Sequence, residues 1–61
     1  MKRKKVLQLL AKEGFVLKEG GNHTKVYDKN GKYLSAVSRQ NEIRDDVVRL
    51  IEKQTGAKLL G

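Results

Sequence analysis

The spacing of apolar residues changes twice along this chain, and each change restricts the fold. Between Lys4 and Glu13, Val6, Leu9 and Leu10 fall at i, i+3 and i+4, with Leu7 widening the stripe: the repeat of an amphipathic helix. Gly14 follows, a residue suited to the left-handed position that ends a helix. From Phe15 the repeat shortens to two, with Phe15 and Leu17 alternating with Val16 and Lys18 as in a half-buried strand. Gly20-Gly21 interrupts the backbone, and alternation resumes over Asn22 to Tyr27. Thr24 and Val26 take one face there; His23, Lys25 and Tyr27 take the other. Asp28-Lys29-Asn30-Gly31 is a turn signal, and Asn-Gly favours a tight hairpin. Lys32 to Ser38 reads as a third strand, with Leu34 and Ala36 on one side and Tyr33, Ser35 and Val37 on the other.

The helical repeat then returns. Arg39 to Arg44 connects to a helix in which Ile43, Val47, Leu50 and Ile51 share a face, with Val48 at its edge. Asp45 and Asp46 suit the positive end of its dipole and Lys53 the negative end. Gly56 closes it, and 58–61 is expected to be a loose tail. The order helix, three-strand meander, helix predicts an α+β domain in which a three-stranded antiparallel sheet carries both helices on one face. The other sheet face is left to solvent. On this register that open face holds Lys18, His23, Lys25 and Tyr27, with Tyr33, Ser35 and Val37 beside them. The same α-β-β-β-α order is that of double-stranded-RNA-binding domains. Sixty-one residues accommodate one such domain, 1–61.

Charge is distributed unevenly. Fourteen Lys and Arg oppose seven Asp and Glu, for a net +7. Residues 1–33 hold nine of the cations against three anions, and 34–61 hold five against four. A cationic front half joined to a nearly neutral back half points to a polyanionic partner, of which nucleic acid is the commonest. No apolar run is long enough for a membrane span or a signal-peptide core, so a cytoplasmic protein with no membrane partner is expected. The absence of cysteine removes disulfides, thiolate ligands and a cysteine nucleophile.

Few groups could perform catalysis. One histidine and scattered carboxylates make no recognisable metal set, and no cofactor-binding pattern is present, so neither a metal nor a cofactor is expected. His23 stands just after Gly20-Gly21-Asn22, on the expected open face, with Lys25 two residues on. A histidine titrating near neutral pH can take a proton from a ribose 2′-hydroxyl or give one to a leaving 5′-oxygen. Neighbouring lysines can hold the phosphate and offset the charge that builds on it. Such a site would cut RNA and not DNA.

The run Gly20-Gly21-Asn22-His23-Thr24-Lys25-Val26, behind a short helix and Gly14-Phe15-Val16, resembles the motif of the HicA family. So does the closing run Asn41-Glu42-Ile43 followed by Leu50-Ile51-Glu52-Lys53-Gln54-Thr55-Gly56. The resemblance covers roughly residues 2–57. HicA proteins are toxins of a bacterial and phage toxin–antitoxin system. They have a double-stranded-RNA-binding-domain-like fold, cleave mRNA independently of the ribosome, and are neutralised by HicB. The resemblance thus implies an endoribonuclease (an mRNA interferase) with mRNA as substrate and a HicB-type antitoxin as partner.

It also implies that His23 is catalytic, that Gly20 and Gly21 form the family's turn, and that Asn22 is its small or polar residue before the histidine. Lys18, Lys25 and Arg39 are candidate RNA-phosphate contacts. The chain departs from the family at Ser38-Arg39-Gln40, where many members have a Pro-Arg-His type sequence. A second histidine is therefore absent, and Lys25, Tyr27, Arg39 or a water are the candidates for the general acid. The alternative reading is a double-stranded-RNA-binding module that leaves its RNA intact. A DNA-binding regulator is disfavoured by the sheet-centred layout and the lack of a helix-turn-helix pattern.

Overall fold

Helix α1 (Arg3–Lys12) is followed by β1 (Val16–Gly20), β2 (His23–Tyr27) and β3 (Tyr33–Ser38), and then α2 (Asp45–Thr55), in a computed structural model that describes residues 1–60. The strands form one antiparallel sheet in the order β1-β2-β3. Both helices lie on the same side of it, α1 over β1 and α2 over β3. The expected α-β-β-β-α architecture is the observed one.

One apolar cluster holds the layers together. Val6 and Leu10 of α1, Val26 and Val37 of the sheet, and Val48 and Ile51 of α2 are fully or almost fully buried in it. Phe15 and Leu17 pack against this cluster. Gly14 (φ +97°) and Gly56 (φ +81°) take the left-handed conformation that lets the chain leave each helix sharply.

The sheet departs from simple alternation at one place. Val26 pairs with Ser35 but Tyr27 pairs with Tyr33, so Leu34 is an extra residue in β3. This bulge reverses the phase of the strand beyond it. Ser35 and Val37, expected on the open face, turn under the helices and are buried, while Leu34 and Ala36 are only half-buried. The buried Ser35 hydroxyl donates to Gln54 Oε1 at 2.6 Å. Asp28 supplies the physical cause: its carboxylate accepts the backbone N–H groups of Asn30 and Lys32 at 2.8 Å each. Those bonds shape a loop wider than the two-residue Asn-Gly turn.

Two further expectations are corrected. In α2 the inward line runs through Val48 and Ile51, whereas Leu50 is 52% exposed. Ile43 is buried but precedes the helix, tied by its N–H to Met1 O. The residues after α2 are not loose as far as Leu60. Ala57 and Leu59 are buried, and the N–H groups of Leu59 and Leu60 donate to Glu52 Oε2 at 2.6 and 2.9 Å. Those two bonds, from Leu60 first and Leu59 second, hold the Glu52 carboxyl below its ordinary pKa. Gly61, the end of the expected tail, lies outside the described residues.

Candidate functional site

Strand β2 places His23 and Lys25 on the open face of the sheet, both exposed, while Thr24 and Val26 between them are buried. The period of two carries this arrangement, and it is the one expected from the sequence. The β1–β2 hairpin is tight. Gly20 pairs with His23, leaving Gly21 and Asn22 as the connection. Gly21 has φ +52°, so the left-handed position belongs to it, and Gly20 is the last residue of β1.

Gly20 lies beneath the Lys25 side chain. A Cβ there would sit 3.5 Å from Lys25 Cε and 3.9 Å from its Nζ. The Lys25 side chain therefore folds over the bare backbone directly across the strands from His23. The imidazole of His23, the β2 partner of Gly20, and the ammonium group of Lys25 thus share this end of the open face.

Lys18 and Lys25 are cross-strand partners on this face. Like charges directly opposite each other destabilise a sheet. Among the described residues no carboxylate stands at an outward position of the sheet: these are Val16, Lys18, Gly20, His23, Lys25, Tyr27, Tyr33, Ala36 and Ser38. Each lysine turns aside, Lys25 over Gly20 and Lys18 over the Tyr27 ring at 5.3 Å from its centroid. The face is thus cationic at some expense to the fold, and a bound polyanion would relieve it.

Arg39 does not stand in this open space. Its Nε donates to Gly21 O at 2.9 Å and its Nη2 lies 2.7 Å from Glu19 Oε1. It ties the segment after β3 to the β1–β2 turn. A second guanidinium completes the tie from the helix side: Arg3 donates from Nε to Ser38 O at 3.0 Å and from Nη2 to Thr24 Oγ1. The fully buried Thr24 hydroxyl in turn donates to Glu19 Oε1 and Oε2 at 3.0 and 3.1 Å. Arg3, Glu19, Thr24 and Arg39 therefore grip both strands that flank His23, since Ser38 is the β3 partner of His23.

Sequence reasoning missed Arg3, Glu19 and Thr24. The available signal was a polar residue at an inward strand position, Thr24, which demands a partner when buried. The partner's identity depends on contacts across 21 residues of chain.

The densest positive charge lies elsewhere. Lys2, Arg3, Lys4 and Lys5 line an open groove of about 700 Å³ at the start of α1 together with Leu7, Gln8 and Asn41, the Arg3 guanidinium being turned to Ser38 O and Thr24. Its helix has no acidic residue in the first turn. At its rim, Glu42 meets the N-terminal amino group at 2.7 Å and Lys2 Nζ at 3.4 Å. These two contacts, the amino group first, hold the Glu42 carboxyl below its ordinary pKa.

No family model, curated protein or solved structure matches this chain. What the site can do rests on its own chemistry. Among the described residues, no three of His, Cys, Asp and Glu gather as a metal cluster would require. Among the same residues no helix is long and apolar enough to cross a membrane.

Proposed function

We propose that this protein is an endoribonuclease that uses His23 and needs no metal, and that it is the mRNA-cleaving toxin of a type II toxin–antitoxin pair. The observation that carries the reading is the open face itself. An exposed imidazole stands across from Gly20, over which the Lys25 side chain folds, on a sheet face where two lysines oppose each other and, among the described residues, no carboxylate points outward. The resemblance of Gly20 to Val26 and of the closing run to the HicA family supplies the toxin assignment.

In this reading Lys25, with Lys18 behind it, receives the scissile phosphate, while Gly20, Gly21 and Asn22 let the backbone approach. His23 takes the proton of the 2′-hydroxyl. The 2′-oxygen attacks phosphorus, and the bond from phosphorus to the 5′-oxygen breaks. The 5′-oxygen leaves with a proton drawn from water, and His23 returns the proton it took to solvent, giving a 2′,3′-cyclic phosphate and a 5′-hydroxyl. Lys25 is the candidate best placed to shield the developing charge. The guanidinium of Arg39 is engaged with Glu19 and Gly21 O, so its part is to hold the turn. The partner antitoxin covers His23 or sets acidic side chains against the cationic half.

Expression in a bacterium tests the proposal. The parent arrests growth; His23→Ala, an exposed change that leaves the fold intact, does not. Equal arrest by both removes His23 from the mechanism.

A second reading has its own support. The groove of Lys2, Arg3, Lys4 and Lys5 belongs to the helix layer and not to the sheet face of His23. A module that held duplex RNA by this groove would bind with a steep salt dependence and leave the strand whole. Loss of RNA affinity in Lys4→Ala/Lys5→Ala, together with intact RNA after incubation with the parent, would favour it.

A further inference from the structure

The open face carries more than cations. Tyr27 and Tyr33 meet across β2 and β3 with ring centroids 5.7 Å apart and planes at 71°, edge to face. This geometry keeps the rings from covering each other as an offset stack would. Tyr33 remains 54% exposed, and the neighbouring Val16 is 43% exposed. Lys18 Nζ lies over the half-buried Tyr27 ring, 5.3 Å from its centroid, so Tyr33 is the more open of the two rings.

Cross-strand aromatic pairs also stabilise a sheet, so the exposure of Tyr33, and not the pairing, is what bears on a ligand. Here the bulge at Leu34 brings Tyr33 opposite Tyr27 on the solvent side. It does so in a chain whose only other aromatic residue is Phe15. From His23 to Tyr27 is four residues of strand, about 13 Å. Lys25 lies between them on the same face. Cationic groups on β2 and the exposed Tyr33 ring beside it on β3 thus share one face of the sheet.

We infer that the exposed Tyr33 ring, braced edge to face by Tyr27, is a stacking surface for unpaired bases of the RNA whose phosphate sits at His23, so that the substrate is single-stranded there. This rests on the endoribonuclease reading and adds its substrate class. The occupant is single-stranded RNA and not duplex, because bases paired within a helix offer no open face to a flat aromatic surface. The lysine-rich surroundings match its backbone, and stacking is indifferent to which base is present. An acidic protein segment could use the same charges but would have no need of the open ring.

The two tyrosines make the platform its own probe. The chain has no tryptophan and no other tyrosine, so its tyrosine fluorescence arises wholly from these rings. The experiment titrates the intact protein with a short 2′-O-methyl oligoadenylate, which lacks the reacting hydroxyl and stays whole. Parallel titrations use the same oligomer without bases, a duplex of the same length, and polyglutamate.

The oligoadenylate should quench the emission, and the other three should leave it nearly unchanged at matched salt. Tyr33→Ala should weaken oligoadenylate binding about ten-fold, and Tyr33→Phe should restore it. Equal quenching by the baseless oligomer, the duplex or polyglutamate overturns the platform. So does unchanged affinity in Tyr33→Ala. Should that variant not fold, the titrations of the parent decide the matter alone. A protein that is quenched yet never cuts RNA keeps the platform and loses the nuclease reading. One that cuts RNA with no quenching and full activity in Tyr33→Phe and Tyr33→Ala does the reverse.

Discussion

Replacing Thr24 by valine examines the tie that holds the histidine-bearing hairpin. The change keeps the volume and branching of a fully buried side chain and deletes its hydroxyl, which bonds Arg3 and Glu19. Hydrogen bonds to charged groups contribute about 1.5–3 kcal/mol each. Glu19 is 60% exposed and can recover water, and Arg3 keeps Ser38 O, so the lower end applies. A loss of about 1.5 kcal/mol corresponds to a fall in Tm of roughly 6–12 °C for a domain of this size. Thr24→Ser, which keeps the hydroxyl and drops one methyl, should cost only about 0.8 kcal/mol. Thermal melts followed by circular dichroism give both values. A cycle with Glu19→Ala should show Thr24 and Glu19 coupled by about 1 kcal/mol. The reasoning fails if Thr24→Val melts with the parent, or if the two substitutions simply add.

The exposed position of His23 requires His23→Ala to alter stability by no more than about 0.5 kcal/mol, measured by urea unfolding; a large loss would mean the ring is structural. The orientation of α2 predicts that Leu50→Asp is tolerated whereas Val48→Asp leaves the chain unfolded by circular dichroism, and the opposite outcome would restore the face read from the sequence. Gly21→Ala forces φ +52° on a side chain and should cost about 1 kcal/mol in the same melts, with Gly21→Asn closer to the parent. Glu42 and Glu52 have folded pKa values below their ordinary 4.5. Their contribution is therefore complete above that value and disappears as pH falls through the lowered folded values. Tm should hold from pH 7 to 5 in this respect and drop below about 4.5, and Glu52→Gln should flatten the acid limb; parallel limbs would refute it.

The element order and the outward placement of His23 and Lys25 were readable because β2 alternates without interruption between two turns. The phase of β3 was not. Alternation within one strand cannot register an extra residue, and the Leu34 bulge follows from how Asp28 closes the loop against the partner strand. In α2, Val47, Val48, Leu50 and Ile51 span so wide an arc that several rotations bury part of it. The buried tail residues Ala57 and Leu59 and the anchored Ile43 select among them from outside the helix. The sequence reads Arg39 as an RNA-phosphate contact; its tie to the Gly21 carbonyl and the Glu19 carboxylate joins groups 18 and 20 residues away, which no local pattern shows. For the same reason the roles of Arg3 and Glu19 stayed hidden. Gly21, at φ +52°, makes the turn, while Gly20 ends β1 beneath Lys25.

Incubation of the purified protein with end-labelled mRNA in EDTA, followed by analysis of the fragment ends, addresses the nuclease most directly. The parent should release fragments bearing 2′,3′-cyclic phosphates, and His23→Ala should bind the same RNA and release none. RNA left whole by the parent, or cut equally by both proteins, would contradict the account.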